Sequence, residues 1–105
     1  MEALDGLGIV GAATVLTILE TGTDTLAKSQ NPLAIPGYGM LGYVLMRTLR
    51  TNPLGTQNLM WNAMTNLTDL VVGVFVFGET VSGTDVAAAI LITTGIMLLA
   101  NSNVK

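Results

Sequence analysis

The chain has 105 residues, half of them hydrophobic and only 10% charged, with no cysteine and no histidine. An ordinary soluble domain carries roughly a quarter charged residues, so the composition points to lipid; it excludes disulfide and thiolate chemistry, and it removes the usual transition-metal ligand and neutral-pH base. The net charge is −3, and the four cations Lys28, Arg47, Arg50 and Lys105 are scattered, which argues against any nucleic-acid surface.

At ~20 apolar residues per span, this length allows at most four transmembrane helices and no separate soluble domain. One four-helix transmembrane domain over 1–105 is therefore expected, with helices at roughly 7–27, 33–49, 54–77 and 85–100. Strands are set aside, because open sheet edges cannot sit in hydrocarbon and the alternating segments of a closed barrel are missing. The opening MEALDGLGIV is acidic where a secretory signal would be basic, so the first apolar segment is expected to be retained.

The first block carries Thr17, Glu20 or Thr21, Asp24 and Lys28 at three- and four-residue steps, which share one helix face. An acid at the bilayer centre costs about 2.5–3.5 kcal/mol on insertion scales, so Glu20 is expected to face protein or water. Asp24 has a second reading, as a plain ion-pair partner for Lys28 four residues on. The block ends at KSQNP, where Asn31 and Pro32 signal a turn.

The second block is short and contains Pro36, Gly37, Gly39 and Gly42. Tyr38 stands here as an aromatic that either borders a cation site or anchors at the interface. RTNP closes the block. In the third block, LGTQNLMWNAMTNLTDLVVG, the residues Asn58, Asn62, Thr65, Asn66 and Asp69 fall on one side, with Leu59, Met60, Ala63, Met64, Leu67 and Leu70 over most of the other. Trp61 adjoins that polar seam; it either offers its face to a cation or packs toward lipid. The asparagines and threonines read equally well as hydrogen-bonding glue between helices, and Asp69 either titrates or donates as a protonated partner.

GETVSGTD separates the fourth block, VAAAILITTGIMLLA, which is uncharged. Ala88 and Gly95 lie seven residues apart on one face, and small residues let helix backbones approach closely, so this helix is expected to be an association surface. The short links predict antiparallel neighbours. The N-terminus, the Arg47/Arg50 turn and Lys105 then share one side against Lys28 on the other, which favours cytoplasmic termini.

These features resemble the small multidrug resistance family, the four-helix members of the drug/metabolite transporter superfamily, from about Thr17 to Ala100. ETGTDTLAKS resembles the family's first helix, in which a membrane glutamate is followed eight residues later by a lysine, here Glu20 and Lys28. TLRTNPLGTQNLMW resembles its second turn, with Thr48, Pro53, Gly55 and Trp61 at matching spacing; the step from Trp61 to Gly78 is also kept, and Gly95 matches a small position of the fourth-helix dimer contact. The resemblance implies an antiparallel homodimer in which Glu20 of each copy binds either protons or a lipophilic cation, with Tyr38 and Trp61 near that site. The chain departs from the family in a shorter first turn and second helix, in Asn58 where a tyrosine is usual, and in Asp24 and Asp69, which have no family counterpart.

The expected function is proton-coupled transport of small cationic or polar solutes by a multi-pass membrane homodimer, through Glu20, Asp24, Tyr38, Trp61, Asn62 and Asp69, with Ala88 and Gly95 at the dimer contact. The alternative is a structural subunit of a larger membrane complex or virus-associated membrane that keeps the scaffold without transport. No cofactor or metal is expected. An enzyme is not, since no nucleophile–base pairing and no phosphate-cradling loop stands out.

Overall fold

The computed structural model describes residues 6–103, which form four helices and no strand: α1 (Ile9–Lys28), α2 (Ala34–Thr48), α3 (Leu54–Phe75) and α4 (Gly83–Asn103). The first five residues of the acidic opening and the Lys105 tail, on which the expected orientation draws, lie outside the described residues. The main packing runs α2 on α1, α1 on α3 and α3 on α4, so the chain forms a slab of 39 × 34 × 17 Å. A helix with its side chains is about 10–12 Å across, and a 17 Å slab is therefore less than two helices deep.

The turn residues set the helix ends. α1 closes on Gln30 in the left-handed region (φ 61°), and the Asn31 N–H reaches back to the Leu26 carbonyl at 2.9 Å. The Asn31 side chain then accepts from the Leu33 N–H at 3.0 Å and opens α2. Pro36 sits in the first turn of α2, where its missing N–H has no intrahelical acceptor to lose. α4 starts two residues earlier than the apolar pattern indicates, because Ser82 and Asp85 cap it reciprocally: Asp85 N–H to Ser82 Oγ at 3.1 Å and Ser82 N–H to Asp85 Oδ2 at 3.0 Å.

α1 and α3 run parallel in constant register. Leu7 meets Asn52, Thr17 meets Thr65 and Thr21 meets Thr68, at sequence separations of 45, 48 and 47. At the α2–α3 turn, Gln57 is wholly buried: its Nε2 donates to Thr48 Oγ1 (2.8 Å), and its Oε1 accepts from Asn52 Nδ2 (2.9 Å), which also donates to the Leu7 carbonyl (3.1 Å). Three elements are thereby pinned together at one end of the molecule. The apolar centre is small, with Leu16, Leu41 and Val44 at its heart and Val15, Leu19, Leu45 and Trp61 against it.

Apolar side chains are abundant on the surface. Among the described residues seven hydrophobic ones are buried, three of them alanines, beside five buried polar ones: Thr17, Thr23, Thr48, Gln57 and Thr65. Nineteen large hydrophobics among the described residues are exposed, including Phe75 (82%), Ile35 (77%) and Leu91 (73%). Met60, on the apolar side of the third helix, is almost fully buried. Among the described residues only α4, over Gly83–Asn101, is by itself both long and apolar enough to cross a membrane, and none of that stretch is buried.

Candidate functional site

The parallel register of α1 and α3 brings their acids to one level. On α1, Glu20 and Asp24 lie one turn apart; on α3, Trp61, Thr65 and Asp69 follow at four-residue steps and face them. The half-buried Glu20 carboxyl stands against the Thr65 hydroxyl and the Trp61 indole. Trp61 Nε1 is buried without a hydrogen-bond partner, so this donor lies beside the carboxyl with no bond closed. The Asn58 side-chain oxygen, one turn before Asn62 on the same helix, is likewise buried and unpaired. Trp61 itself is partly buried and packs against the α1–α2 core.

Asp24 and Asp69 lie close to each other across the α1–α3 groove, with Thr21 also near Asp69. The Tyr38 hydroxyl of α2 donates to Asp24 Oδ1 at 2.6 Å, so three helices converge on one carboxylate. A cleft of about 220 Å³ opens beside this pair, lined by Asp24, Thr25, Lys28, Asp69, Gly73 and Glu79 among others. Lys28 does not pair with Asp24, the simpler reading of their four-residue spacing. Its Nζ lies 3.7 Å from Glu79 Oε2. Among the acids, α1 and α3 are held by the Thr21–Thr68 hydroxyl contact at 2.5 Å, and one turn before it by the longer Thr65–Thr17 contact at 3.5 Å.

Glu20, Asp24, Tyr38, Trp61 and Asp69 are thus neighbours. Asn62 is not among them: it is exposed, as is Asn66, because the face that meets α1 is centred on Thr65 and both asparagines fall beyond its edge. Ala88 is exposed and Gly95 has open space where a side chain would project, so neither makes a helix contact within the chain. Sequence reasoning missed Glu79, which a loop carries to the cleft, and the buried Gln57. The signal for Glu79 was Gly78, whose positive φ of 69° turns the chain back. The described residues include no group of three or more His, Cys, Asp or Glu side chains arranged to hold a metal ion. No protein-family model, no curated protein and no solved structure matches this chain.

Proposed function

We propose that the chain is a membrane-embedded, proton-coupled transporter of small cationic solutes, working as a homodimer, as its resemblance to small multidrug resistance proteins implies. The observation that carries the reading is the grouping of Glu20, Asp24 and Asp69, with the Tyr38 hydroxyl and the Trp61 indole, inside a helical slab whose outer surface is apolar. A monomeric soluble protein rarely exposes contiguous apolar patches beyond a few hundred Å², whereas lipid accepts such a surface. α4 carries the longest apolar stretch; α1 and α3 turn Thr17, Thr65 and their acids toward each other while Ile18, Leu59, Val71 and Phe75 are exposed, which suits spanning helices that line a polar path.

The chemistry is competition. A carboxylate binds a cation or a proton, and occupancy by one excludes the other. Solute affinity therefore rises with pH as the acid loses its proton, and a gradient of either species drives the other. Two copies place two such sites in one path, and α4, unburied in the single chain, supplies apolar surface for the pairing.

The test is proton release on binding by purified protein in detergent, with guanidinium and tetraphenylphosphonium as a small and a bulky probe cation. Wild type releases protons on adding at least one probe, and Glu20→Gln releases fewer or none. Undiminished release by Glu20→Gln removes Glu20 from the mechanism, and the absence of release with either cation removes the exchange reading.

A further inference from the structure

The cleft that reaches Asp24 and Asp69 has an ion pair at its mouth. The chain leaves α3 at Phe75, reverses at Gly78, and returns so that the Glu79 N–H donates to the Gly73 carbonyl at 3.0 Å. The Glu79 carboxylate then lies directly over Gly73, in the space any side chain at position 73 would occupy. From there it meets Lys28 at the last turn of α1. Both partners line the cleft, and Lys28 lies one turn from Asp24 on the same helix. The opposite end of the molecule is closed by the buried Gln57–Thr48–Asn52 cluster.

We propose that Lys28 and Glu79 form a latch that ties the α3–α4 loop to the end of α1 and opens to admit solute to the acid-lined cleft. The side chains are 59% and 51% exposed and 3.7 Å apart. Such a pair shifts an open–closed equilibrium by at most about fivefold. A contact of that strength suits a gate that must part on every cycle; a buried pair would hold it shut. The loop's backbone bond from Glu79 to Gly73 holds it to α3 and not to α1, so losing the pair releases the loop from α1 and leaves the four helices packed as before. Lys28 also holds a cation of the chain's own beside the carboxylates, which an arriving solute cation displaces from Glu79.

The chain has no cysteine, so spin labels at Ser29→Cys and Thr80→Cys in the full-length protein in lipid nanodiscs report the distance across the latch. Glu79→Gln and Lys28→Gln should each raise the long-distance population by up to about fivefold. The double variant should open no further than either single one, since both remove the same contact. Raising the salt to 1 M should open wild type, by screening an exposed pair, and leave the variants where they are. Unchanged distances in both single variants, or additive opening in the double, overturn the latch. The latch as a gate rests on the transport reading, and guanidinium exchange in vesicles separates the two: distances that shift in a protein that moves no cation preserve the contact's role in holding the loop and sink the transport reading.

Discussion

The buried Gln57 cluster permits a sharp prediction, because its partners are unequal. Gln57→Met keeps most of the volume and removes two hydrogen bonds, to Thr48 Oγ1 and from Asn52 Nδ2. Asn52 retains the Leu7 carbonyl, and the Thr48 hydroxyl retains the Val44 carbonyl at 3.0 Å. The second Asn52 N–H loses its acceptor, but on a half-buried side chain that can turn toward solvent, so, on the membrane reading proposed above, the cost is that of two hydrogen bonds inside a bilayer, about 1 kcal/mol in all at ~0.6 each. Thr48→Val preserves shape, yet it strands the Gln57 amide donor at a site with no solvent exposure, for which about 1–3 kcal/mol is expected. The smaller change should therefore be the more damaging one, and the double variant should be no worse than Thr48→Val alone. Unfolding of the purified variants in mixed detergent micelles, followed by circular dichroism, measures the order. Gln57→Met proving as costly as Thr48→Val or more so would refute the assignment of the cluster as a donor-satisfied pin.

Gly37→Ala should destabilise by about 1–3 kcal/mol, since the added Cβ would lie 2.8 Å from Thr23 Oγ1 and 2.9 Å from Thr23 Cγ2, a side chain that is itself buried; the same unfolding assay reads it, and a neutral result would mean that α2 stands off from α1. Gln30→Gly should stabilise by roughly 0.5–1 kcal/mol, because the left-handed φ of 61° strains any residue with a Cβ; equal or lower stability would contradict that backbone. Leu91→Lys, at an outward position of α4 that is 73% exposed, separates lipid from water: in a bilayer it should weaken insertion of α4 by about 2.5–3.5 kcal/mol, measured by glycosylation mapping of the inserted segment, whereas unimpaired insertion would place that face away from acyl chains.

The element order was legible because breakers are local. Asn31–Pro32, Asn52–Pro53 and Gly78 with Gly83 mark where an i to i−4 ladder cannot continue, and each falls in or beside a link between helices. The ends were less exact for equally local reasons. The Ser82–Asp85 capping box lengthens α4 at its start, and it was readable as S-x-x-D had the apolar run not been taken as the boundary. Helical periodicity likewise put Glu20 with Asp24 and Thr65 with Asp69, as it needs only each helix's own geometry. It could not say how wide the contact between two helices is. Asn62 falls outside the site for that reason: the angle at which α3 presents itself to α1 is fixed by the Thr17–Thr65 and Thr21–Thr68 contacts, and these pair residues almost fifty positions apart.

Polar residues in a chain this apolar therefore fall into three physical groups, and position along the α1–α3 groove separates them. At one end Gln57, Thr48 and Asn52 satisfy one another and leave nothing for a ligand. In the middle, the Thr17–Thr65 and Thr21–Thr68 pairs hold the two helices in register with hydroxyls whose net hydrogen-bond energy is small. The charged side chains begin between those two pairs and run outward: Glu20 beside the Thr65 hydroxyl and the Trp61 indole, then Asp24 near Asp69, then Lys28 with Glu79 at the exposed mouth. Structural glue has no need of ionisable groups, since threonine and glutamine already hold α1 to α3. On the transport reading proposed above, acids that run from the half-buried Glu20, Asp24 and Asp69 to the exposed Glu79 beside a cleft offer a cation or proton successive partners between the helices and the outside.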